Sequence, residues 1–329
     1  MSRPTIAGVA RAAGVSVASV SRVLNGLPAT EEMTERVQRA VAELGYVPDS
    51  RARSLKVGRT FQLTLAVADV GNPVYVTMMR AVEEVVSAAG YRLVVTTTGP
   101  DVVDEVALVR GMARVYAVGL LFSPSRVDED LIKSIRECEV PVVVAGNVPS
   151  KAGVDTVRAN SPKGMLLAVD HLTYCGRRRI AFLNGPADTV PGAARAKGFT
   201  EALKAHNLEP AALAEADDFT FAAGRTTGHE LLKTRGFDAV VCANDLLAVG
   251  LMHELAAAGL SVPDDVAVVG MDDSELAEQS FPPLTSVNLG SAERGRRAAE
   301  LLLARIEDHD RAPRRIVVQP SLSIRRSTP

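Results

Sequence analysis

Gly14-Val15-Ser16-Val17-Ala18-Ser19-Val20-Ser21-Arg22-Val23-Leu24-Asn25 reads as a tight turn followed by a short helix whose outer face suits DNA. Just upstream, Ile6, Val9, Ala10 and Ala13 fall at i, i+3, i+4 and i+7, the apolar stripe of a first helix that Thr5 is placed to cap. Gly14 can take the left-handed conformation that ends this helix, Ser16 can cap the next, and Val15 is left to plug the corner. In the second helix Val20, Val23 and Leu24 face inward, which leaves Val17, Ala18, Ser19, Ser21, Arg22 and Asn25 for an outside partner. Hydroxyls and a helix N-terminus suit phosphate oxygens, and Arg22 can pair bidentately with a guanine edge. Val17 and Ala18 are slim enough to approach base edges and thymine methyls. Two short helices around a glycine also occur in many α-rich domains, so this pattern alone does not decide for DNA binding.

A third helix is expected after Thr30, a capping residue followed by Glu31 and Glu32, whose charges suit the positive end of the helix dipole. Its buried stripe is Val37, Ala40, Val41 and Leu44, and Gly45 ends it. A core of about 45 residues is marginal alone. Tyr46-Val47-Pro48 bridges to 49–58, where Asp49 can cap a helix and Gly58 close it. Fewer than about ten residues cannot hold a helix in water without packing partners. Charge follows the same division. Residues 1–60 carry nine Lys and Arg against five Asp and Glu, a net +4, whereas the rest carries 28 against 34, a net −6. A basic head on an acidic body fits phosphate binding by one part only.

At 329 residues the chain exceeds one ordinary core, and 47% hydrophobic with 23% charged residues marks a globular protein. No window approaches a transmembrane span and no signal-peptide pattern opens the chain, so a cytoplasmic protein is expected. Cys138, Cys175 and Cys242 are scattered and lack metal spacing; they read as buried thiols. No phosphate-binding P-loop, no GxGxxG after a strand, no GxSxG elbow and no clustered metal ligands appear, so neither catalysis nor a cofactor is expected.

From Phe61 short apolar runs alternate with longer amphipathic stretches. Strands are expected at 63–68, 92–96, 118–122, 141–145, 180–183, 239–242 and 266–270, with helices such as 73–89, 161–174, 195–206, 246–258 and 291–307. This alternation indicates parallel sheets with helices on both faces. Ligands of such sheets bind beyond the carboxyl ends of strands, where Asp69, Asn72, Asn244, Asp245, Asp272 and Asp273 fall. Asn or Asp at such a place often caps the next helix instead, and for Asp245 the cap is the preferred reading.

Pro4-Thr5-Ile6, Val9-Ala10, Ala13-Gly14-Val15-Ser16 and Val20-Ser21-Arg22-Val23-Leu24-Asn25-Gly26 together resemble the N-terminal headpiece of the lactose-repressor (LacI) family of bacterial transcription regulators. The resemblance continues through Asn72-Pro73, Arg195 ahead of Gly198-Phe199, Ala243-Asn244-Asp245 and Val269-Gly270-Met271-Asp272-Asp273. It implies an all-α helix-turn-helix headpiece over 1–48, a hinge helix and linker over 49–60, and over 61–329 an α/β periplasmic-binding-protein type I core of two doubly wound parallel-sheet lobes. The lobes would be 61–160 with 290–319, and 161–288 with 320–329.

The implied function is sequence-specific operator binding by a homodimer, controlled by a small-molecule effector in the cleft between lobes. DNA contacts would come from Thr5, Ser16, Val17, Ala18, Ser19, Ser21, Arg22, Asn25 and Thr30, with Ala52 and a minor-groove wedge at Leu55 in the hinge. Effector contacts would come from Asp69, Asn72, Val74, Asn147, Arg195, Phe219, Asn244 and Asp272, of which Arg195, Asn244 and Asp272 could hold hydroxyls or an anionic group. Gly146, Ala159 and Leu289 depart from positions where the family often has Asp, Asp and Gln, which implies an effector smaller, less hydroxylated or more apolar than a free hexose. Two rivals share parts of this pattern: a transporter's solute-binding protein, which the basic headpiece disfavours, and a regulator whose effector is another protein.

Overall fold

The computed structural model describes residues 4–24, 27–46, 61–99, 101–112, 117–234 and 236–329. The chain divides into two compact units, Met1–Thr60 and Phe61–Pro329. The described residues of the first unit form the helices Ile6–Ala13, Val17–Leu24 and Glu31–Leu44. Val9, Ala10, Ala13, Val20, Val37 and Ala40 are its buried core, with Ile6, Val15, Val23, Leu24, Val41 and Tyr46 packed around them. Leu44 departs from its expected place in the buried stripe. It is 40% exposed, because the last helical residue before the turn at Gly45 overhangs so small a core.

In the second unit the strands are β1 (Gln62–Val67), β2 (Arg92–Thr97), β3 (Leu120–Ser123), β4 (Val142–Val144), β5 (Asp155–Ala159), β6 (Ile180–Asn184), β7 (Ala212–Glu215), β8 (Ala239–Cys242), β9 (Ala267–Met271), β10 (Thr285–Asn288), β11 (Arg315–Val318) and β12 (Ser321–Ser323). They form two six-stranded sheets, ordered β2-β1-β3-β4-β5-β11 and β7-β6-β8-β9-β10-β12. Central strands such as β8 are buried along their whole length, as continuous apolar runs must be when helices cover both faces of a parallel sheet. The chain passes to the second sheet after β5, where the Asn160 side chain caps helix Ser161–Tyr174, and returns after β10 with helix Ser291–Glu307, which packs on helix Pro73–Ala88. It crosses a third time between β11 and β12.

Several elements lie outside what apolar runs reveal. β5, β7, β10, β11 and β12 are short, polar or at sheet edges, and β12 pairs antiparallel with β10, so the second lobe is not purely parallel. Helix Val190–Ala205 begins five residues before Arg195, which therefore sits in its second turn and does not open it; Thr189 is the cap. Of the cysteines only Cys242 is buried; Cys138 and Cys175 are partly exposed.

Small residues set the closest helix contact. A Cβ at Gly250 would lie 2.5 Å from the Phe221 carbonyl oxygen, so helix Asp245–Ala257 meets helix Phe221–Thr234 backbone to backbone. Gly250→Ala should separate the pair and cost about 1–3 kcal/mol, outweighing the roughly 1 kcal/mol of helix propensity that alanine adds. Urea unfolding checks this; a midpoint equal to or above the parent's would contradict it.

Candidate functional site

The DNA-facing candidates sit on the second headpiece helix. Thr5 Oγ1 accepts from Gly8 N at 3.2 Å and Gly14, at φ 63°, ends the first helix, after which the two helix axes turn through 102°. Ser16 Oγ accepts from Ser19 N at 3.0 Å and bonds the Ser19 hydroxyl at 2.9 Å, so one expected contact residue caps the helix and a second is held against it. Ser16, Val17, Ala18 and Arg22 are exposed, while Ser19 and Ser21 are partly buried. Arg22 reaches Pro28 O at 3.4 Å. Thr30 is exposed and caps the third helix through Met33 N. Asn25, Ala52 and Leu55 lie outside the described residues.

Sequence reasoning did not single out Arg36. Its Nε and Nη2 donate to Ala13 O at 3.0 and 2.7 Å, and Nη2 also reaches Gly14 O at 3.0 Å. A cation on the third helix thus satisfies the carbonyls that the first helix leaves open at its C-terminus. It locks the turn ahead of the outward helix.

In the second unit the polar candidates collect where the carboxyl ends of the two sheets face each other. From one lobe Arg195, 9% exposed in its side chain, places Nη2 3.4 Å from Asp272 Oδ1 and its guanidinium carbon 5.7 Å from the centre of the Phe219 ring. Asp272 follows β9 with φ 109° and is buried. Gly185 makes room for Phe219, since any Cβ there would lie 2.3 Å from the ring. Asn244 is the helix cap: Oδ1 accepts from Leu247 N and Nδ2 donates to Phe219 O, both at 2.8 Å. That corrects the expectation for Asp245. Its carboxylate accepts from Ser274 N, Ser274 Oγ and Ser286 Oγ, which makes it a buried anchor between loops.

The other lobe contributes Tyr75, the neighbouring Ser123, whose hydroxyl donates to Ala145 O at 3.1 Å, and Arg294 from helix Ser291–Glu307, whose charge interacts with Tyr75, Asp272 and Arg195. Asn72 caps helix Pro73–Ala88 through Val74 N, and Val74 is partly buried in the first turn. Asp69 and Asn147 are exposed, the former accepting from Gly71 N. Leu289 packs into the second lobe's core beside Met271 and Val287, and does not line the polar cluster.

Tyr75, Ser123, Asn184 and Arg294 were not among the expected residues. Ser123 and Asn184 end strands, so the strand-end rule could have found them. Arg294 had no signal, because Glu293, Arg294, Arg296 and Arg297 read as a solvated face. The lobes also touch through Arg126, bidentate to Asp188 at 2.8 and 2.9 Å, through Val190 N to Ser125 O at 2.8 Å, and through Arg80 to Glu275 at 3.0 Å. Glu105, fully buried, receives Ser125 N at 2.6 Å and so supports the loop that carries Arg126. A depression of about 330 Å³ beside Arg136, Cys138 and His309 lies toward the amino end of β4, away from this cluster.

Comparison with known proteins agrees with both halves. A sequence model described as bacterial regulatory proteins, lacI family, matches residues 5–49, and one described as periplasmic binding protein-like domain matches 169–328. The HTH-type transcriptional regulator CelR of Thermobifida fusca is 37% identical, covering 99% of this chain and 98% of that protein. The HTH-type transcriptional repressor PurR of Aliivibrio fischeri strain MJ11 is 33% identical over 98% of each. Among solved structures, a CelR–cellobiose complex has a TM-score of 0.74 at 35% identity, covering 99% of this chain and 100% of that one. A lac repressor dimer bound to operator and the anti-inducer ONPF has 0.87 at 26% identity, covering 99% of each.

Two predictions follow from these geometries. The second headpiece helix carries a single long cation, so Arg22→Ala should cost about 1–3 kcal/mol at a specific site and relax base preference; fluorescence anisotropy on matched DNA duplexes measures it, and unchanged affinity removes Arg22 from base readout. Burial pushes both Asp245 and Glu105 up to about 7, from ordinary values of 3.8 and 4.5. Between those limits the folded state binds more protons than the unfolded, so stability falls as pH rises from about 5 to 7, by up to about 1.4 kcal/mol per pH unit for each carboxyl. Asp245→Asn should remove its share of that slope; thermal unfolding from pH 5 to 8 tests it, and a parent midpoint that climbs over this range would refute it.

Proposed function

The chain belongs to the LacI family of bacterial regulatory proteins, a transcriptional regulator that binds operator DNA as a dimer under control of a small-molecule effector, and on that premise we propose where and how it does so. Operator bases are read by the exposed face of helix Val17–Leu24, with Arg22 as the base-pairing cation. The effector occupies the polar cluster shared by Arg195, Asp272 and Phe219 of one lobe and Tyr75 and Arg294 of the other. The observation that carries this reading is that charged side chains from both lobes, Arg195 and Asp272 buried and Arg294 partly buried, interact with one another at the carboxyl ends of the two sheets. Buried charge needs a partner, and a ligand held by both lobes supplies one.

The arrangement assigns work to the remaining groups. Asn72 and Asn244 spend their side chains on helix caps, so they shape the cleft more than they grip a ligand. The Arg126–Asp188 and Arg80–Glu275 pairs bridge the lobes, and effector binding acts by changing how strongly the bridged arrangement is favoured over an opened one. That shift passes to residues 1–60, where 49–60 serves as the hinge, and alters operator affinity. The protein acts in the cytoplasm, where its operator is. The effector is carbohydrate-like or a related metabolite, a reading supported by the relative crystallised with cellobiose. No single described helix is long and apolar enough to cross a membrane.

DNA selection with the full-length protein, read by anisotropy at two salt concentrations, tests the assignment. A near-palindrome with half-sites about one helical turn apart should be enriched and bound about 10³-fold or more above random DNA. Sequence-blind binding that collapses with salt, in the presence and absence of cell extract, would defeat it.

A further inference from the structure

The effector cluster is unbalanced in charge. Two guanidinium groups, Arg195 and Arg294, interact with one carboxylate, Asp272. The neighbouring Asp245 bonds Ser274 and Ser286 and neither arginine, and burial pushes its carboxyl up to about 7, so it supplies less than a full counter-charge. Asp69 stays exposed on its own loop. The guanidiniums are also short of acceptors. Arg195 makes a long 3.4 Å bond to Asp272, and Arg294 a 3.1 Å bond to Ser291 Oγ on its own helix. The buried Nε of each has no hydrogen-bond partner among the described residues. An arginine offers five N–H donors, and burying one without an acceptor costs about 1–3 kcal/mol, more for a charged group.

We propose that the effector is an acid, a small hydroxylated molecule whose carboxylate or phosphate sits between the guanidinium groups of Arg195 and Arg294. An oxyanion offers both arginines a charge-assisted acceptor and cancels the surplus charge. A neutral sugar hydroxyl could accept the same hydrogen bonds but would leave the charge uncompensated in a site that excludes water. Desolvation and the repulsion of Arg195 both weaken the hold of Arg294 on its proton, and a bound anion relieves both. The buried and unpartnered Asn184 Oδ1 is an acceptor for a hydroxyl of the same ligand. The charge that Arg294 brings to the cluster points to a ligand different in kind from the neutral disaccharide of the relative's complex.

This inference rests on the effector-cleft reading above, and its test keeps the two apart. Full-length protein is unfolded thermally with D-glucose, D-glucuronate, D-glucose 6-phosphate or inorganic phosphate, at ionic strength held constant with chloride. The acidic compounds should raise the midpoint saturably and glucose should not, with an apparent affinity gap of at least about tenfold, or 1.4 kcal/mol. Glucuronate against the two phosphates decides which acid is preferred. Arg294→Met should abolish the acid-specific rise and Arg294→Lys should restore part of it, each read against its own ligand-free transition. The proposal is overturned if the acids stabilise the parent no more than glucose does, or if Arg294→Met responds like the parent. Operator affinity of the parent without added compound is scored separately: its loss would count against the regulator reading, whereas loss of acid preference counts only against this inference.

Discussion

A parallel sheet buried on both faces has nowhere to display polar chemistry except beyond its strand ends, and that constraint organises the larger unit. β8 and β9 are buried along their length, so the polar residues that matter follow them, Asn244 after β8 and Asp272 after β9. Because the chain crosses between sheets three times, two such edges face each other in one unit. The cluster exists because both lobes bring charge to the same place. Neither lobe alone would assemble Arg195, Asp272, Tyr75 and Arg294.

Much of the polar inventory holds that edge in shape. Asn244 caps a helix and ties down the Phe219 carbonyl, Asp245 pins the Ser274 loop to Ser286, and Glu105 braces the loop from which Arg126 reaches Asp188. These hydrogen bonds fix the loops around Arg195 and Asp272, whose burial makes their charges costly to leave uncompensated. A site prepared in this way favours whichever ligand supplies the missing counter-charge, and binding then shifts the balance between lobe arrangements.

The headpiece solves a different problem, since its core is too small to be rigid by burial alone. Thr5, Ser16 and Thr30 cap the three helices among its described residues, and Arg36 closes the end of the first one. Short-range hydrogen bonds hold the outward helix in the direction that base reading needs. Ser16 Oγ caps the second helix and bonds the Ser19 hydroxyl, so two residues proposed to touch DNA also shape the start of that helix.

How much of this was legible in the chain depended on the range of the interaction. Caps, turns and buried strands are local, and Thr5, Gly14, Ser16, Thr30 and the runs that became β1, β6, β8 and β9 could be read directly. β5, β7 and β12 could not, because β7 and β12 lie at sheet edges, β5 is of mixed polarity, and all three gain their places from strand pairing that no local pattern shows. The family resemblance brought Arg195 and Asp272 into view, but not what they face. Arg294 looks like one charge among several on an amphipathic helix, and only the return of that helix to the first sheet puts it opposite Asp272. Local chemistry in the sequence therefore determined that the protein has a DNA-reading head and an α/β ligand-binding body. The tertiary structure alone decided the charge balance of the cleft, because that balance is a sum over residues joined by no local pattern.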